Sequence, residues 1–79
     1  MCGLREQACS LLAAEMERSG RQGLEGLAAA AAELYARAEK QRGSLSFRQS
    51  ALAALLGYFA SDAGSLPDLL AEISRRRQA

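Results

Sequence analysis

Valine and threonine are absent from this 79-residue chain, and Ile73 is its single β-branched side chain. Strands are built from β-branched and aromatic residues, and only Tyr35, Phe47, Tyr58 and Phe59 add to Ile73. A sheet has no material to form from. The chain holds instead 17 alanines and 13 leucines, which are among the residues that cost a helix least. The expected fold is therefore all-α, a three- or four-helix bundle in one domain over residues 1–79.

Glycine and serine clusters at 19–23, 43–46 and 62–65 divide the chain into helices expected at about 4–18, 24–42, 47–62 and 66–77. In the first, Leu4, Ala8, Leu11, Leu12 and Met16 share a broad face flanked by Cys2 and Cys9, but Arg5 and Glu15 intrude on it. The second carries Leu24, Leu27, Ala31, Leu34 and Ala38, a narrow seam suited to close antiparallel packing. Glu33 and Arg37 are placed to pair along its outer side, and Gly43 to close it. Ser46 and Gln49 have the spacing of a capping box at the start of the third. In the fourth, Ser65 is the expected N-cap, Pro67 and Asp68 occupy the first turn, and Leu66, Leu69, Leu70 and Ile73 form the stripe. Arg75, Arg76 and Arg77 fall at the negative end of its dipole. Helices two and three are expected to form a central antiparallel hairpin that helices one and four cover.

The third helix is the odd one. Leu52, Leu55, Leu56 and Phe59 make one apolar face, and Ser50, Ala53, Ala54, Gly57, Ala60 and Ser61 make another that is small and uncharged. A helix with one side in water normally fills that side with charged or long polar residues, so this one is expected to be central and buried on both sides. Only twenty apolar side chains exceed alanine or cysteine in size, and a core of that size rarely supplies more than about 3–5 kcal/mol unaided. Close packing of small residues or association has to make up the difference. The expected interaction surface is Ser50, Ala53, Ala54, Gly57 and Ser61, with Tyr35 and Tyr58 as anchors at its edges, and the partner is a protein helix or a second copy in a homodimer.

Chemistry is narrowly bounded. Without histidine there is no imidazole base and no histidine ligand for a metal. Cys2 and Cys9 on one helix lie roughly 10.5 Å apart, beyond disulfide reach. The carboxylates are spread among arginines as solvated helix faces, and no glycine-rich phosphate loop is present. A net charge of +1 does not make a basic nucleic-acid surface. The longest charge-free run, Gln49–Ser61, is 13 residues, short of the about 20 that a membrane span takes. Expected, then, is a cytoplasmic, non-enzymatic interaction module without cofactor, metal, membrane or small-molecule substrate: a small chaperone, adaptor or anti-activator.

Two resemblances bear on this. Phe59 and Ala60, then Ala63 and Gly64, followed by Leu70 and Ile73, resemble the helix-turn-helix of many small bacterial repressors over about 20 residues. That resemblance implies, as the alternative, a DNA-binding regulator with its motif around residues 56–77. Ser65 stands where the pattern has an apolar residue, and Asp68 and Glu72 fall among the positions that would face phosphates. In size and architecture alone, an alanine-seamed helical hairpin is also similar to the short cytoplasmic chaperones that hold needle subunits in type III secretion.

Overall fold

The computed structural model describes residues 3–78, of which 77 and 78 are described by backbone alone. Four helices follow one another: α1 (Leu4–Ser19), α2 (Gly23–Lys40), α3 (Phe47–Ser61) and α4 (Leu66–Gln78), with 3₁₀ turns at Arg42–Ser44 and Ala63–Ser65. They pack as an all-α bundle, and the described residues contain no strand. Cys2, expected to flank the α1 stripe, lies outside the described residues, as does the side chain of Arg77.

The joins show which local signals govern. Gly20 takes a left-handed conformation at φ 71°, and the N–H groups of Gly20 and Arg21 donate to the carbonyls of Glu17 and Met16. That is the Schellman closure a glycine permits. At α3 the capping box is present: Gln49 N–H donates to Ser46 Oγ at 3.1 Å, and Ser46 N–H to Gln49 Oε1 at 2.8 Å. Two other expectations are corrected. α2 ends at Lys40, and Gly43 lies inside the following 3₁₀ turn instead of closing the helix. Ser65 does not cap α4; its hydroxyl donates to Asp62 O, while Asp62 Oδ1 accepts from Gly64 N–H and caps the turn ahead of the helix. Pro67 stands two residues after Ser65 and has no N–H for its hydroxyl to accept from, and the hydroxyl turns back to Asp62 instead.

The interior is made by Ala8, Cys9, Leu12 and Met16 of α1, Leu27, Ala30 and Ala31 of α2, Leu56 and Phe59 of α3, and Leu66, Leu69 and Ile73 of α4. α1 and α2 each pack on all three other helices, whereas α3 packs mainly on α2 and α1. α2 and α3 share the most extensive contact of the bundle, and α2 is the most widely engaged of the four helices. The reason is the alanine run 28–32, whose short side chains let neighbours approach α2 from several sides. Gly26 extends the same device: a Cβ there would lie 2.9 Å from the Arg21 carbonyl carbon, so the incoming turn rests directly on the helix.

Both intruders on the α1 stripe are answered by partners. Glu15, 4 % exposed, accepts from Arg18 one turn on and from both Arg37 terminal nitrogens at 3.2 Å across the α1–α2 contact. Arg37, expected to pair with Glu33, is thus drawn to the buried carboxylate, where a charge without partners is most costly. Arg5 lies over the Phe59 ring, its Cζ 5.7 Å from the centroid, and donates from Nε to Glu72 of α4 at 2.9 Å.

Replacing Gly26 with alanine should lower the thermal midpoint even though alanine is the better helix former, because the methyl group meets backbone; overpacking of this kind costs about 1–3 kcal/mol. A second outcome concerns acid. Arg18, then Arg37, holds the Glu15 carboxyl below its ordinary range, and Arg5 does the same for Glu72. A depressed folded-state pKa stabilises above the unfolded value, near ~4.3, and that contribution is lost as pH falls through the folded value. Glu15→Gln should therefore be less stable at neutral pH and lose less on acidification, as urea midpoints across that range will show.

Candidate interaction surface

At 100° per residue, Leu52, Leu56 and Phe59 point α3 into the bundle. Phe47, Ser50, Ala54, Tyr58 and Ser61 fall within an arc of about 80° on the opposite side, and all five are exposed. Phe47 is 92 % exposed and Tyr58 53 %. Arg48, the one charged residue of α3, lies off this arc. The helix thus presents to solvent an uncharged face about 20 Å long, small in the middle and aromatic towards both ends.

The sequence-derived surface is divided by the structure. Ser50, Ala54, Tyr58 and Ser61 lie on the outer face, where Ser61 Oγ donates to Tyr58 O at 3.1 Å. Ala53 is buried and Gly57 half-buried, and Tyr35 of α2 is pressed against Gly57 from within the same molecule. A Cβ at Gly57 would stand 2.7 Å from Tyr35 Cε1. The glycine is a notch for the tyrosine ring, and the two residues join α2 to α3. The expectation that α3 is buried on both sides is corrected in the same stroke: α2 takes one edge of the small-residue strip and leaves the other open. Phe47 was missed as a surface residue, although it stands one turn before Ser50 and two before Ala54, on the same arc.

The Asp62 carboxylate, one turn on, pushes the ionisation of the Tyr58 phenol upward, so the ring stays neutral. Its edge lies against Phe59, with ring centroids 5.7 Å apart, which ties the exposed aromatic to the buried one.

Two other features complete the surface. An open cleft of about 650 Å³ runs between α1 and the start of α3, with Leu11 and Leu52 in it and Glu6, Arg48 and Arg76 around it. Beneath α4, Cys9 is buried and free, its thiol donating to Glu72 Oε2 at 3.4 Å. Burial, then Glu72, pushes that thiol up to about 11, so at neutral pH it stays protonated and lacks the thiolate that reacts. Glu72 also accepts from Arg76 at 3.2 Å. The cluster is an electrostatic clasp between α1 and α4.

Set beside protein-family models, curated proteins and solved structures, the chain matches none. Function has to be argued from the surface itself.

Because Tyr35 fills the Gly57 notch, Gly57→Leu should destabilise the bundle itself, by about 1–3 kcal/mol. Tyr35→Ala in the same chain should recover part of the loss, which thermal unfolding of the two variants will show.

Proposed function

We propose that this chain is a non-enzymatic helical interaction module, a small chaperone, adaptor or anti-activator, that packs a partner helix or a second copy of itself along the outer face of α3. The supporting observation is the exposed, uncharged arc Phe47–Ser50–Ala54–Tyr58–Ser61. Water-facing helix surfaces are ordinarily charged, and a phenylalanine left almost wholly in water has no stabilising role in the lone molecule. Tyrosine and other aromatic residues are also the usual anchors of protein interfaces. The mechanism is burial of that arc under another helix, with the small central residues allowing close approach. No cofactor or metal takes part, and the working compartment in this reading is the cytoplasm.

The DNA-binding alternative finds less in the geometry. Glu72 and Arg76 are occupied with each other in the clasp, Arg76 also lies 3.9 Å from Glu6, and Asp68 is exposed on α4 near where phosphates would approach.

A photoreactive phenylalanine analogue at Tyr58 should form a covalent adduct with a protein in the cells that make this chain. The same group at Glu17, exposed on α1, should form none. Absence of an adduct from Tyr58, or equal yields from both positions, overturns the proposal.

A further inference from the structure

Resting on that reading, we infer that the occupant of the outer face of α3 is a second copy of this chain, docked antiparallel about a two-fold axis beside Ala54. The exposed positions are arranged symmetrically around that residue. Phe47 and Ser61 lie seven residues to either side, and Ser50 and Tyr58 lie four to either side. Each symmetric pair joins one aromatic to one serine. When an identical helix is laid antiparallel on this face, Phe47 meets Ser61 of the second copy, Tyr58 meets its Ser50, and the two Ala54 residues face each other on the axis. At each level along the pair one large side chain stands beside one small one, twice over, which suits a self-complementary two-fold interface. The central alanines then let the backbones come close.

A parallel pairing fails by the same measure. It sets Phe47 against Phe47 and Tyr58 against Tyr58, props the helices apart, and leaves Ser50 and Ala54 facing a gap. Charge does not oppose the pairing. Arg48 is the one charged residue of α3 and lies off the arc, so the two-fold axis brings no like charges together along it. A strongly charged partner would find no complement there.

The area sets the strength. An aromatic side chain buries about 150–250 Å², and Phe47 and Tyr58 are 92 % and 53 % exposed. With the three small residues, each copy offers on the order of 400 Å², or about 800 Å² for the pair, against the roughly 1,200–2,000 Å² of stable complexes. Glu39 of α2 and Arg42 of the 3₁₀ turn after it, which border Ser50 and Ala54 in a cleft and lie 3.8 Å from each other, flank the contact at one edge. The dimer is therefore transient and depends on concentration.

Sedimentation equilibrium over a range of concentrations should show monomer and dimer in exchange. Ala54→Lys places two ammonium groups at the axis, and should raise the dimer dissociation constant about tenfold or more while circular dichroism keeps its helical form. Phe47→Lys should weaken the dimer too, and the double variant Phe47→Lys/Ser61→Asp should recover it, since the introduced charges face each other only in the antiparallel arrangement. The double variant decides the matter even where Ala54→Lys disturbs the fold. A monomer at every concentration, a dimer indifferent to Ala54→Lys in a folded protein, or no recovery in the double variant overturns the inference. The mass of the adduct formed from Tyr58 separates the two levels of the argument. Twice the chain mass supports the second copy, any other mass overturns it but leaves the interaction module standing, and no adduct overturns both.

Discussion

The bundle depends on close approach between helices that have little bulk to offer. With most of its large apolar side chains leucines spread over four helices, the chain gains cohesion where alanine and glycine let backbones and rings come near. Tyr35 in the Gly57 notch and the Arg21 turn resting on Gly26 are two instances of one device. Dispersion forces reward that proximity steeply and vanish as quickly when it is lost. This is why α2, rich in alanine and with no more leucines than any other helix, occupies a central place that a count of large residues would have given to α3.

Electrostatics then serve the packing. Glu15 and Arg5 interrupt the apolar stripe of α1, and each is held by partners supplied from elsewhere in the fold: Arg18 and Arg37 for the one, Glu72 and the Phe59 ring for the other. Neither arrangement stands alone as a source of stability, because buried or half-buried charges have to recover their lost hydration first. Their effect is to fix which face of α1 meets α2 and which meets α4.

Much of this could be read from the residues. The lack of β-branched side chains dictated helices, and the Ser46–Gln49 spacing marked a helix start that the hydrogen bonds display. What escaped was long-range. Arg37 stands one turn from Glu33, and nothing local says that a carboxylate twenty-two positions earlier will be buried within its reach. The small-residue strip of α3 was visible as a pattern, but which of its edges α2 would claim depended on where the Tyr35 ring came to lie. Gly43 and Ser65 misled because their roles were assigned one at a time, while the 3₁₀ turns beside them redistributed the available donors and acceptors. The outer arc with Phe47 lay in the helical wheel all along; its meaning came only once the inward direction of α3 was known.

The clasp over Cys9 has a consequence for motion. Glu72 hangs from the last helix and shields the sulfur, so any excursion that lifts α4 away from α1 uncovers the thiol and at once relieves the burial that suppresses its acidity. The sulfur then becomes both reachable and nucleophilic in the same event. The rate at which an alkylating reagent consumes it is a built-in clock for the fraying of the C-terminal helix.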